Sequence, residues 1–242
     1  MRHWARPLVL TLLFAGLAGC SIRDAACGTR QATRDQATAD EIAAAETGTT
    51  APQFIAIAIL GDSLTEGLGL VMQESYPVLI QEKFQADGYK NVTVVNAGVS
   101  GDTTAGALRR LEDVLESDVK VLVVALGGND ALRGLPADQT EANLTKIVET
   151  ARGQGVMVLL AGMEAPPNLG EDYQLAFRAA FIKAARLSRE IVYMPFLLEG
   201  VAGIPELNQA DGIHPNKQGA AVIATNMYPK LKTMIDTIGG GG

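Results

Sequence analysis

Five runs of apolar residues without alternation punctuate the chain, at Phe54–Leu60, Val92–Val95, Val121–Leu126, Val156–Ala161 and Ile191–Met194. A strand with one wet face alternates apolar and polar positions, so unbroken runs mark strands covered on both faces. Between and after them apolar residues fall three and four apart, the spacing of one helix face. Tyr76, Leu79, Ile80 and Phe84 form the first such stripe, Leu108, Leu111 and Leu115 the second, and Leu144, Ile147, Val148 and Ala151 the third. Tyr173, Phe177, Ala180, Phe181, Ala184 and Leu187 form a fourth, and Ala220, Ala224, Met227 and Leu231 a fifth. Strand alternating with helix predicts a parallel sheet with helices on both faces, and right-handed crossovers leave few ways to wind it. The simplest is one α/β domain over residues 52–238, three layers α/β/α around a five-stranded flavodoxin-like parallel sheet, with a Gly tail at 239–242.

The N-terminal part follows neither period. A basic start, Met1-Arg2-His3-Trp4-Ala5-Arg6, precedes an apolar stretch from Pro7 to Gly19. That stretch is well short of the ~20 residues a membrane-spanning helix needs, so residues 1–19 are expected to be a secretory signal peptide. It ends in Leu17-Ala18-Gly19-Cys20, which resembles the bacterial lipoprotein box and implies a lipid anchor on Cys20; an ordinary cleavage site beside a chance cysteine is the other reading. Ser21 after the cysteine implies, within that class of signals, an outer-membrane lipoprotein of the cell envelope facing the periplasm. Residues 20–51, rich in Ala, Thr, Asp and Arg, read as a flexible tether.

Composition removes several functions. With 48% hydrophobic and 19% charged residues, the 242-residue chain can build a core and is too apolar to be disordered. Lys and Arg number 20 against 27 Asp and Glu, a net charge of -7; without residues 1–19, which carry Arg2 and Arg6, the balance is 18 against 27, or -9. An acidic surface repels phosphate backbones and 5% aromatics offer few stacking platforms, so no nucleic-acid partner is expected. The two histidines are His3, inside the expected signal, and His214. One remaining histidine and two cysteines cannot build the usual zinc cage, so no metal is expected, and any imidazole chemistry rests on His214. With Cys20 lipidated, Cys27 has no disulfide partner in the chain.

In doubly wound sheets function gathers at the carboxyl ends of the strands. There the chain reads Gly61-Asp62-Ser63-Leu64 after the first strand, Asn96-Ala97-Gly98-Val99-Ser100-Gly101-Asp102 after the second and Gly127-Gly128-Asn129-Asp130 after the third. Met163-Glu164-Ala165-Pro166-Pro167-Asn168 follows the fourth, and Asp211-Gly212-Ile213-His214-Pro215-Asn216 lies between the fifth and the last helix. Acyl transfer needs such parts: a serine, an imidazole to take its proton, a carboxylate to fix the imidazole tautomer, and donors for the oxyanion. Asp211 precedes His214 by three residues, within reach across one tight turn. Singly, each piece has a plainer reading, since Ser63 and Asp62 suit a helix cap and the glycine-flanked Asp and Asn residues suit turns. Their coincidence at successive strand ends favours the chemical reading. No Gly-x-Ser-x-Gly elbow, Gly-x-x-x-x-Gly-Lys loop or dinucleotide fingerprint accompanies them, and no cofactor is expected.

Gly61-Asp62-Ser63-Leu64, Gly101, Asn129 and Asp211-x-x-His214, in this order, resemble the GDSL or SGNH hydrolase family across roughly residues 54–236. The strings 126–134 and 211–216 are similar to its bacterial arylesterase, thioesterase and lysophospholipase branch. The resemblance implies the SGNH hydrolase fold, with Ser63 as nucleophile, His214 as general base and then acid, and Asp211 as the orienting carboxylate. The backbone amides of Ser63 and Gly101 and the Asn129 side chain would form the oxyanion hole. Expected substrates are aryl or short to medium acyl esters, extending to lysophospholipids and thioesters. Glu66, where relatives often carry a small residue, either charges the mouth of the site or is a solvated carboxylate. Leu70, Val71, Met72, Leu132, Leu135, Met163 and Leu169, on loops expected to border the cleft, either line an acyl groove or seal the core beneath those loops. Two other functions stay open: a carbohydrate O-acetyl esterase of the envelope, and a flavodoxin-like binding lipoprotein without activity.

Overall fold

The computed structural model describes residues 54–115 and 119–239; the expected signal peptide, Cys20 and its tether, and residues 240–242 of the Gly tail lie outside them. Five strands form at the expected places: β1 (Ile55–Gly61), β2 (Val92–Gly98), β3 (Val119–Ala125), β4 (Met157–Ala161) and β5 (Val192–Met194). They pair in parallel in the order β2-β1-β3-β4-β5, the doubly wound order expected from the alternating pattern. The central strands are sealed: Ile57, Ile59, Leu60 and Val121 through Val124 have no exposed surface. Truncating one of them, as in Ile57→Ala, is expected to destabilise the domain by about 2–5 kcal/mol. The edge strand β2 departs from the reading of its apolar run, since Thr93 and Val95 face solvent.

Helices α1 (Ser63–Glu66), α2 (Tyr76–Ala86), α3 (Thr104–Arg109), α4 (Leu111–Val114), α5 (Gly128–Leu132), α6 (Ala137–Gly153), α7 (Glu171–Ala185) and α8 (Lys217–Ile238) complete the layers. The long ones pair, α2 against α8 and α6 against α7, and bury Phe84, Leu144, Phe177, Phe181 and Met227 on the sheet. Among the described residues no helix is long and apolar enough to cross a membrane.

Two boundaries differ from the periodicity for visible reasons. The stripe Leu108, Leu111, Leu115 is broken into α3 and α4 at Arg110, which has φ -107° and ψ 8°. Its guanidinium donates to the carbonyls of Ala97 (2.8 Å) and Gly61 (2.9 Å) and to Asp102 Oδ2 (2.8 Å), tying together the ends of β1 and β2. The last helix outruns its stripe because Asn216 caps it, accepting from the Gln218 and Gly219 amides, and because Met234 and Ile235 continue the buried face. It stops at Gly239, in the left-handed region.

Candidate active site

Each strand of the sheet hands the chain to one rim. At the end of β1, Asp62 caps α1 by accepting the Leu64 amide at 3.0 Å, which turns the chain sharply and leaves the half-buried Ser63 at the first helical position. This turn packs closely on the end of β2, where a Cβ at Gly98 would stand 2.2 Å from the Glu66 amide nitrogen; only glycine fits. Below it Thr65 Oγ1 and Tyr76 Oη share a buried hydrogen bond of 2.6 Å that anchors α1 to α2.

Three of the expected residues form a continuous hydrogen-bonded chain. His214 Nε2 lies 2.9 Å from Ser63 Oγ, across 151 residues of sequence, and His214 Nδ1 lies 2.6 Å from Asp211 Oδ2. The other carboxylate oxygen of Asp211 accepts the backbone amides of Ile213 (2.9 Å) and His214 (3.0 Å), so the turn that brings the two side chains together also orients the carboxylate. Those hydrogen bonds, from the His214 amide and ring and the Ile213 amide, hold the Asp211 pKa down to about 2. Gln209 supports the segment from behind, donating to the carbonyls of Leu68 (2.7 Å) and Pro215 (3.0 Å).

Asn129, at the start of α5, lines the same cleft as Ser63 and His214. Its amide nitrogen donates to the Asp102 carbonyl at 2.9 Å and leans at 3.4 Å toward Asp62 Oδ2. The next residue, Asp130, is buried and structural: it accepts from the Thr104 amide (2.9 Å) and hydroxyl (2.5 Å), joining α5 to α3. Gly101, with φ +78°, is not among the residues that line the cleft. Asp62 is nearly inaccessible, and burial pushes its carboxyl up from 3.8 to about 6, against the opposing effects of the Leu64 amide, His214 and Asn129.

The cleft has a volume of about 420 Å³ and its walls are mainly apolar. Of the expected lining residues, Leu132 and Met163 are there. Leu70 packs against the core and lines a small recess that also includes Ser63 and His214, whereas Val71 and Met72, at the start of the 3₁₀ turn Met72–Glu74, are exposed and not in the cleft wall. Leu135 and Leu169 are likewise not in its wall. Phe196, Leu198 and Ile213 replace them, from the long segment after β5, which shows no helical or strand period to flag it. Glu66 is exposed to solvent and does not line the cleft, and its carboxylate also accepts the Ser100 amide at 2.7 Å. Arg110 and Arg133, the latter donating to the Gly101 carbonyl at 2.7 Å, also escaped the sequence reading. Among the described residues no group of three or more His, Cys, Asp or Glu could hold a metal ion.

A doubly wound α/β sheet carrying a hydrogen-bonded Ser-His-Asp chain at its carboxyl rim defines a hydrolase of the serine type. The sequence profile of the GDSL-like lipase/acylhydrolase family matches residues 59–222, and the chain belongs to that family. It is 40% identical over 178 residues to the esterase TesA of Pseudomonas aeruginosa, covering 73% of this chain and 88% of that protein. It is 36% identical over 179 residues to the thioesterase 1/protease 1/lysophospholipase L1 of Escherichia coli K12, covering 74% and 84%. The crystal structure of TesA superposes with a TM-score of 0.70 at 39% identity, over 74% of this chain and 99% of that one. The chain is thus a serine esterase of the GDSL type.

Proposed function

We propose that the protein hydrolyses carboxylic acyl esters through an acyl-enzyme on Ser63. Ser63 Oγ attacks the acyl carbonyl as His214 Nε2 takes the hydroxyl proton, and Asp211 holds the proton on Nδ1 and stabilises the imidazolium. The tetrahedral oxyanion is met by the Ser63 and Gly101 amides and by Asn129, whose long contact with Asp62 leaves one N–H ready to turn to substrate. Collapse expels the alcohol, which takes its proton from His214. Water, deprotonated by His214, then attacks the ester, releasing the acid and regenerating Ser63.

The observation that carries the substrate class is the apolar cleft beside Ser63 and His214. A wall built from Leu132, Met163, Ala165, Phe196 and Leu198 buries methylenes, worth about 0.8 kcal/mol each, and offers few partners for sugar hydroxyls. Short to medium acyl and aryl esters fit it better than O-acetylated sugars, and the names of the relatives, an esterase and a thioesterase/lysophospholipase, are consistent with acyl substrates. Lysophospholipids and thioesters belong to the proposed range. Export and anchorage in the cell envelope through Cys20 are proposed from the sequence. A fluorophosphonate probe should label wild type and not Ser63→Ala, and nitrophenyl esters of increasing chain length should be hydrolysed faster than acetylated sugars. Preference for the sugars would reverse the substrate assignment; absence of labelling would remove the acyl-enzyme.

A further inference from the structure

The three donors assigned to the oxyanion come from three separate elements: Ser63 from α1, Gly101 from the exposed loop after β2, and Asn129 from α5. Their relative placement therefore depends on what ties these elements together. The Gly101 N–H belongs to the peptide between Ser100 and Gly101, and both flanking peptides are held. Before it, the Ser100 amide donates to Glu66 Oε2 at 2.7 Å, and Glu66 is the last residue of the helix that begins with Ser63. After it, the Gly101 carbonyl accepts from Arg133 Nη2 at 2.7 Å, and Arg133 caps the helix that carries Asn129. The Asp102 amide closes the turn on the Val99 carbonyl at 3.0 Å, and the Asp102 carbonyl takes the Asn129 amide at 2.9 Å.

We propose that Glu66 and Arg133 are positioning residues of the oxyanion hole, one fixing the Gly101 loop to the nucleophile helix and the other fixing it to the Asn129 helix. Neither lines the cleft wall, so neither is placed to hold the acyl chain. Both are exposed, and a lone exposed hydrogen bond contributes little to global stability. Its value lies in geometry: a loop with no strand or helix of its own, and with glycine in the left-handed region at its centre, has many near-equivalent arrangements. Two charge-assisted hydrogen bonds of opposite polarity, one to an N–H and one to a C=O, select the arrangement that presents the intervening amide. The isosteric amide at position 66 keeps an acceptor for the Ser100 N–H, whereas alanine removes it.

This inference rests on the acyl-enzyme reading above, and the experiment separates the two. Glu66→Ala, Glu66→Gln and Arg133→Met are compared with wild type for fluorophosphonate labelling, thermal unfolding, kcat and KM on a short nitrophenyl ester, and inhibition by an alkylboronic acid, whose tetrahedral adduct occupies the oxyanion hole. Removing an oxyanion donor outright lowers kcat by about 10²–10³, so misplacing one should lower it about 10-fold, with KM within about 2-fold. The boronate inhibition constant should rise by the same factor as kcat falls, Glu66→Gln should recover most of the activity, and the unfolding temperature should hardly move. Unchanged kcat in both Glu66→Ala and Arg133→Met, or a change confined to KM, would overturn the positioning role. Failure of wild type to be labelled would instead remove the reading beneath it.

Discussion

Asp62 makes the domain's stability depend on pH in a way that a single substitution isolates. The carboxyl is 2% exposed and its pKa rises from 3.8 to about 6, chiefly because burial disfavours the charge. Below 3.8 the group is protonated in the folded and unfolded chains alike and has no effect on their balance. As pH rises the unfolded chain releases the proton first, so stability is lost from about pH 4 until the folded carboxyl ionises near 6, and the loss is complete above that. At 1.36 kcal/mol per pH unit the full loss is about 3 kcal/mol, of which about 2 kcal/mol falls between pH 4.5 and 7.5. Asp62→Asn keeps an acceptor for the Leu64 amide but cannot ionise, so it should escape that loss. Its own fixed effects, including an amide facing Asn129, are the same at both pH values and cancel in the difference. Urea unfolding of both proteins at pH 4.5 and 7.5 should therefore show the variant gaining about 2 kcal/mol on wild type over that interval. A stability difference that stays constant within about 0.5 kcal/mol would refute the burial argument.

Asn129→Ala should lower kcat by about 10²–10³ with a smaller change in KM, because its amide meets charge that exists only in the transition state; a pure KM effect in steady-state kinetics would return Asn129 to loop bracing. Asp211→Asn should fold, by circular dichroism, yet lose about 10⁴ in kcat, since the amide favours the wrong imidazole tautomer. Because hydrogen bonds keep Asp211 ionised down to about pH 2, the acid limb of wild-type kcat/KM should not fall in the ordinary carboxylate range, and a limb centred near the usual aspartate value of about 4 that disappears in Asp211→Asn would contradict the geometry. Cys20→Ser should abolish incorporation of labelled palmitate and release the protein from the membrane fraction; an unlabelled wild type would leave only the export signal.

The parallel sheet was legible because burial on both faces demands unbroken apolar runs, and such runs occur at 54–60, 121–126 and 156–161 whatever the rest of the chain does. Ser63, Asn129 and the Asp211–His214 pair were legible for a related reason: each stands next to a strand or helix signal in a local pattern that needs no distant partner. Distances could not be read, and the 2.9 Å contact from His214 to Ser63 exists only because the doubly wound order brings the two ends of the domain to one rim. Of the two roles open to the loop residues Leu70 takes the core, Val71 and Met72 take neither and face solvent, and Phe196 and Leu198 of the cleft wall were missed, since a loop's hydrophobicity does not say whether it faces core, cleft or solvent. Glu66, Arg110 and Arg133 look in sequence like ordinary solvated charges. Their partners are backbone groups of segments far along the chain, and a backbone amide or carbonyl carries no residue-type signal, so only the tertiary structure could assign them.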